Sequence, residues 1–355
     1  MRNEWWKNRW FRRCFASAMA VVVLFSLLGQ PVAAKVKLTG KTKSVSYADT
    51  PYGIHGRLKV QGTKLVGKNG ETVQLKGVST HGINWDVGYP YVNGTSFANL
   101  RDEWGVNCIR VAMYTQDYNG YCVTSDAERK KLLKTIDTAV KQTKKLGMYV
   151  ILDWHVLNDQ TPKKYQKQAK QFFKTVSKKY KNYGNVLYEI CNEPNGGTSW
   201  GTIKSYAKSI IPVIRKNSKK AIVIVGTPNW SQDVDVAAKS PITGYKNIMY
   251  AVHFYAATHQ QSYRDKCETA LKKGLPVICT EFSACEASGD GAYNFDSAKA
   301  WLSLLDQYGV GYCAWSLSNK SESASLLKSS CRRTGGYKTS DVSSMGQWLI
   351  EQYTK

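Results

Sequence analysis

Two glutamates stand where a hydrolytic pair would be placed. Glu193 closes the segment Val-Leu-Tyr-Glu-Ile-Cys-Asn-Glu-Pro, and Glu281 lies in Leu-Pro-Val-Ile-Cys-Thr-Glu-Phe. Each segment reads as a short apolar strand that stops on a carboxylate, which puts an ionisable group at the lip of a sheet. Two carboxylates on one lip suit glycoside hydrolysis: one acid protonates the leaving oxygen, and one carboxylate attacks carbon or activates water.

Such a pair needs a frame. Eight apolar runs recur: 73–80, 108–114, 149–155, 186–193, 221–227, 249–255, 277–281 and 312–316. Helix-period stretches such as 127–146 and 297–308 separate most of them. Near-continuous apolar strands alternating with helices indicate a buried parallel sheet. Eight such units predict an α/β fold, a closed (β/α)8 TIM barrel, rather than an open doubly wound sheet. No Gly-rich phosphate loop follows the first run, which counts against a nucleotide fold. A hairpin over 57–71, turning at Lys68-Asn69-Gly70, precedes the barrel. Polar residues gather at the strand ends, which in a barrel form the active face: His81, Arg110, His155, Asn192, Glu193, His253, Tyr255, Glu281 and Trp315.

The ordered set of strand-end motifs resembles glycoside hydrolase family five, in its bacterial endo-β-1,4-glucanase branch. It comprises Ser79 to Trp85, Asn107 to Tyr114, Asp153-Trp154-His155, Asn192-Glu193-Pro194, His253-Phe254-Tyr255, Glu281, Trp315-Ser316-Leu317 and Lys320-Ser321-Glu322, across residues 56–353. The resemblance implies a retaining endo-β-1,4-glucanase (cellulase) with Glu193 as acid/base and Glu281 as nucleophile. It implies Arg110 and Tyr255 as donors to Glu281, and Asn192 on the sugar 2-hydroxyl. His81, His155 and His253 would hold hydroxyls or the carboxylates, Trp85, Trp230 and Trp315 would stack on sugar faces, and Lys320 and Glu322 would bind a more distant sugar. Tyr114 belongs to the same substrate-binding set. The expected partner is a β-glucan polysaccharide, with no nucleic acid, no cofactor and no metal. The three strand-end histidines form no His-x-His or His-Glu-x-x-His pattern. Lichenan, xyloglucan or mannan could share the cleft, because subsite loops select the sugar. A non-catalytic glycan-binding protein on the same fold is the rival class. Phe282 stands where relatives often carry Trp, and Cys285 and Glu286 are further departures that could alter a subsite.

Residues 1–34 read as a signal peptide: a basic n-region, an apolar core over 15–28 and small residues before the cleavage point. Retention as a membrane anchor is the alternative; the apolar run is short for a span. The mature protein is then expected to be secreted, extracellular and monomeric, without stable membrane association. Residues 35–52 read as a flexible lead-in and 53–355 as the catalytic domain. The leader contributes +4 of the formal charge of +24, leaving +20. Lysines 163, 167, 170, 174, 178 and 181 fall on one face of a helix and Tyr165, Ala169, Phe172, Val176 and Tyr180 on another, the pattern of a solvated amphipathic helix. Adhesion to an anionic wall or polymer is the other reading of that charge. Of nine cysteines, Cys14 lies in the leader. Cys108, Cys191, Cys279 and Cys313 fall in apolar runs, so mostly free thiols are expected.

Overall fold

The computed structural model describes residues 36–355. The expected signal peptide lies outside them. Residues 59–61 and 64–66 pair as an antiparallel hairpin, β1 (Lys59–Gln61) and β2 (Lys64–Val66). Its turn is Gly62-Thr63, with Gly62 at φ 60°, not Lys68-Asn69-Gly70 as expected. The latter makes a second turn, which brings Thr72 back against Val66. Leu58 and Leu65 join Val73, Leu75 and Ile224 in the apolar cluster that fills the lower barrel.

Eight parallel strands close the barrel in the order β10-β3-β4-β5-β6-β7-β8-β9. They are β3 (Lys76–Thr80), β4 (Cys108–Tyr114), β5 (Tyr149–His155), β6 (Val186–Glu189), β7 (Val223–Val225), β8 (Ile248–Tyr255), β9 (Val277–Ser283) and β10 (Tyr312–Leu317). Helices α1 (Pro51–His55), α2 (Gly94–Trp104), α3 (Asp126–Lys145), α4 (Gln166–Lys179), α5 (Trp200–Asn217), α6 (Val234–Lys239), α7 (Gln261–Lys272), α8 (Phe295–Gln307) and α9 (Ser344–Tyr353) accompany them. Side-chain oxygens at Asn93, Ser125, Ser199, Asn294 and Ser343 accept the third N–H of their helices, the capping chemistry that starts a helix cleanly. Trp104 and Trp301 are buried in the helix layer and Trp348 nearly so.

Two expectations change. The fourth apolar run leaves the ladder at Glu189, so Cys191, Asn192 and Glu193 belong to the strand-to-helix loop. That loop stays fixed because Asn192 N donates to Trp154 O (3.2 Å) and Glu193 N to Val156 O (3.1 Å). The lead-in is also not free. Leu38 is buried, its N–H donates to Thr339 Oγ1, and Thr39 N and Lys43 N donate to Glu103 and Asp102 on α2. A Lys/Ser/Thr-rich segment looks disordered by composition, but its backbone donors are tied to fixed carboxylates.

Period-two alternation builds the interior in layers. Cys108, Ile151, Leu187 and Ala251 belong to the lower apolar cluster. Two residues on, the same columns carry Arg110, Asp153, Glu189 and His253, all buried. The polar layer therefore sits on an apolar floor, below the C-terminal mouth. One irregularity matters. Against β8 the pairing steps from Ala251–Ile278 to His253–Glu281, and against β10 from Tyr312–Cys279 to Ala314–Phe282. Both neighbours advance two residues while β9 advances three. An extra residue in β9 makes a bulge that lets Thr280 and Glu281 both turn into the barrel.

Candidate active site

Arg110 is the hub of the polar layer and is fully buried. Its Nε donates to Glu189 Oε2 (2.8 Å), Nη2 to Asn192 Oδ1 (2.6 Å) and Nη1 to Glu281 Oε2 (3.0 Å). Asp153 Oδ2 lies 3.0 Å from Nη2. A permanently charged planar fork suits such a role, since each edge meets a different acceptor. Tyr255 Oη completes the setting of Glu281 by donating to Oε1 (2.8 Å). Burial alone would raise the Glu281 pKa, but the Arg110 and His253 charges and the Tyr255 hydroxyl outweigh it and hold the carboxyl below its usual range.

Glu193 is held differently. Burial and the nearby charge of Glu281 push its pKa up to about 7, against a smaller opposing pull from His253. His253 Nδ1 lies 2.9 Å from Glu193 Oε1, and Nε2 lies 2.8 Å from Thr280 Oγ1, which donates to Glu189 Oε1 (2.7 Å). Burial works to lower the His253 pKa, yet these acidic partners lift it to about 9. Glu189, opposed by burial but facing Arg110, is lowered to about 2. The layer thus sets two cations, Arg110 and His253, among the carboxyls of Asp153, Glu189 and Glu281, of which burial pushes Asp153 well above its ordinary range against the pull of Arg110. Glu193 is poised at the edge of protonation. One oxygen of Glu193, one of Glu281 and a nitrogen of His253 lie within 4.8 Å of one another. These donors could face a cation, but each is already engaged in the hydrogen bonds above.

His155 Nδ1 meets Asp153 Oδ2 at 2.6 Å, and its Nε2 lies 3.2 Å from Asn192 Nδ2. Because Asn192 can only donate there, His155 carries its proton on Nδ1 and is neutral. Burial and the Arg110 charge push its pKa down to about 3. His81 is lowered to about 3 as well, by burial first.

Above this layer opens a cleft of about 590 Å³. Its walls carry His81, Tyr114, His155, Glu193, Trp230, Tyr255, Glu281, Trp315, Lys320 and Glu322. Trp315 stacks near His155, with ring centres 5.5 Å apart at 23°, and the Tyr114 ring centre lies 4.0 Å from that of His155. Lys320 and Glu322 form an ion pair on the rim. Trp230 is 43 % exposed. It projects from a turn in which Asn229, Trp230 and Ser231 all have positive φ, 55–57°.

Four expected residues stand off the cleft wall. Arg110 and His253 lie in the polar layer beneath the cleft and bond the glutamates from below. Asn192, expected on the sugar 2-hydroxyl, is 0 % exposed. Its carbonyl is taken by Arg110 and its amide hydrogens by His155 and Val156 O. Trp85 packs edge-on behind Tyr114 (4.6 Å) and His81 (5.6 Å), in space left by Gly82, where a Cβ would lie 2.4 Å from the Trp85 ring. Phe282 alters no subsite: it faces the helix layer, stacked on Phe254 (5.2 Å). Cys285 is buried beside Trp315.

Sequence reasoning passed over Asp153 and Glu189. Their signal was present: an acid two residues before His155, and another four before Glu193, each inside an apolar run. Gln232, His259 and Tyr263 also line the cleft. His259 is bridged to Gln232 (3.1 Å) and accepts from Tyr255 N (2.9 Å), contacts that only the folded loops bring about. All eight described cysteines are free thiols.

Residues 66–321 match the family described as Cellulase (glycosyl hydrolase family 5). The chain belongs to glycosyl hydrolase family 5. It is 45 % identical over 309 residues to Endoglucanase A of Butyrivibrio fibrisolvens, covering 86 % of this chain and 71 % of that one. It is 44 % identical over 345 residues to an endoglucanase of Clostridium saccharobutylicum, covering 97 % and 72 %. Among solved structures, Cellulase Cel5C_n superposes with a TM-score of 0.79 at 39 % identity, covering 89 % of this chain and 96 % of that one. The catalytic domain of Thermobifida fusca endoglucanase Cel5A, determined in complex with cellotetraose, superposes with the same TM-score at 35 % identity, covering 86 % and 100 %.

Proposed function

We propose that this family 5 enzyme is a retaining endo-β-1,4-glucanase, with Glu193 as acid/base and Glu281 as nucleophile. The observation that carries the reading is the pair itself: two buried carboxyls with oxygens within 4.8 Å, one raised to about 7 and the other held low. Retaining enzymes set their carboxyls about 5–5.5 Å apart, whereas inverting ones need room for a water.

Glu281, ionised, attacks the anomeric carbon while Glu193 delivers its proton to the glycosidic oxygen, and the aglycone leaves. Esterification removes the Glu281 charge, so the main electrostatic support for the raised Glu193 pKa disappears. Glu193 then takes a proton from water, the hydroxyl attacks the anomeric carbon, and Glu281 leaves as carboxylate. Arg110 and Tyr255 stabilise the departing charge. Trp315, Tyr114 and Trp230 offer faces for pyranose rings, while Lys320 and Glu322 offer hydrogen bonds at the rim. Residues 1–34 are proposed as a signal for export, and the mature enzyme as an extracellular monomer.

The test is product release from carboxymethylcellulose, with mixed-linkage glucan and mannan alongside and Glu281→Gln as control. Rapid shortening by wild type alone, with the β-anomer formed first, supports the reading. Cleavage of mannan alone would move the substrate. Cleavage of none would leave a glycan-binding protein. Mass spectrometry of exported protein would place the processing site, and a first residue far from Lys35 would overturn the signal boundary.

A further inference from the structure

The flank of the barrel formed by α4 and α5 carries no acidic surface. Between residues 160 and 221 the sequence has thirteen lysines and Arg215, and its only acids are Glu189 and Glu193. Both acids are buried in the site. The exposed stripe of α4 presents Lys167, Lys170, Lys174 and Lys178 at successive turns, a span of about 16 Å at 1.5 Å per residue. None of the four makes an ion pair among the described residues. Exposed Lys208 and Lys216 continue the charge on α5, which packs beside α4. The patch ends at α3, where Asp137 takes Lys141 and Lys179 at 2.8 Å each.

Like charges four residues apart on one helix face repel, and opposite charges interspersed along the face relieve that repulsion. Here Lys170, Lys174 and Lys178 are set four apart with no compensating glutamate. The rings within this helix point the other way, Phe172 and Phe173 being buried with Tyr180 at its end, and Tyr165 at its start is half-buried under Lys164. The stripe thus has no exposed ring on which a base could stack. It is built of lysine rather than arginine, so it offers hydrated point charges instead of forks for a phosphate. Such a surface fits a polymer that is itself a regular row of single negative charges.

We propose that this flank docks the protein on a linear acidic polysaccharide, one bearing carboxylates along its length. Because the flank lies outside the mouth of the barrel, a neutral glucan strand can occupy the cleft at the same time. This docking is independent of the reaction assigned to the cleft.

The probe is polygalacturonate, titrated against the full chain at low salt. Variant K167Q/K170Q/K174Q/K178Q removes the stripe. Variant K41Q/K64Q/K273Q/K328Q removes four exposed lysines elsewhere and matches it in net charge. The expected result is that the stripe variant binds at least about tenfold more weakly while the control stays within about threefold, and that wild-type binding disappears near 0.5 M salt as screening shortens. Matching far-ultraviolet circular dichroism and melting temperatures of all three proteins report that each is folded. Equal weakening of both variants would reduce the effect to net charge and overturn the proposal. So would absence of wild-type binding at low salt, or tighter binding of polyuridylate than of polygalacturonate at the same salt.

Discussion

Replacing Glu281 by Gln should drop the pKa of Glu193. The substitution keeps the shape and the Tyr255 contact but removes one negative charge whose oxygen lies within 4.8 Å of a Glu193 oxygen. At an effective dielectric of about 20, a unit charge at that separation contributes about 3.5 kcal/mol, or about 2.5 pH units. Burial, the larger cause of the elevation, survives the substitution. Some of the lost charge will also be offset by relaxation of Arg110. Glu193 should therefore move from about 7 to about 5, a fall of about two units. The assay is a carbon-13 titration of glutamate carboxyls in wild type and Glu281→Gln, with Glu193→Gln identifying the resonance. A Glu193 carboxyl that stays within about half a unit of its wild-type value would refute the electrostatic coupling. The switch of Glu193 from acid to base in the second half-reaction would then need another cause. Since esterified Glu281 is also neutral, the variant is a stable proxy for the charge state of the intermediate.

For wild type, kcat/KM on soluble β-glucan should decline above pH 7, as Glu193 loses the proton it must deliver; a flat profile to pH 9 would contradict this. Glu189→Gln should lower stability by about 3–5 kcal/mol, since it strips a fully buried carboxylate from Arg110, and chemical denaturation would measure it. The depressed pKa of Glu189, about 2, adds stability that is present above the ordinary glutamate range and lost as pH falls toward 2. The acid side of the stability curve should accordingly flatten in that variant. Trp230→Ala should raise KM several-fold with a smaller effect on kcat and little change in melting temperature, because the ring is 43 % exposed. In native protein, thiol reagents should modify Cys122 well before the seven buried cysteines among the described residues, with all of these eight reacting once the chain is unfolded.

The frame was legible because it rests on periodicity. Apolar runs at regular intervals, each followed by a helical stretch, leave few alternatives to a closed barrel, and polar strand ends mark its working face. The glutamate pair was legible for the same reason. What the sequence concealed was registration. The extra residue in β9 has no compositional sign, yet it aims both Thr280 and Glu281 inward and sends Phe282 to the helix layer. Asp153 and Glu189 were read as parts of apolar strands because burial of a charge is visible only once its partner, Arg110, is placed beside it. Asn192 is expected on the sugar, but its loop position buries it and gives its amide hydrogens to His155 and Val156 O and one lone pair of its carbonyl to Arg110. The lead-in misled through composition: backbone donors, which no residue count reports, fasten it to α2.

Arg110 reaches from β4 to Asp153 on β5, Glu189 on β6 and Glu281 on β9. A single side chain therefore spans the barrel and holds the charge of Glu281. Any parting of β4 from β9 that lengthens these contacts would let Glu281 drift toward its ordinary pKa and lose its orientation while most helices were still packed. Catalytic rate is then a more sensitive strain gauge for the barrel than helix content. On heating, turnover should fade before circular dichroism reports melting, and the gap between the two temperatures would measure how far the ring can open before it comes apart.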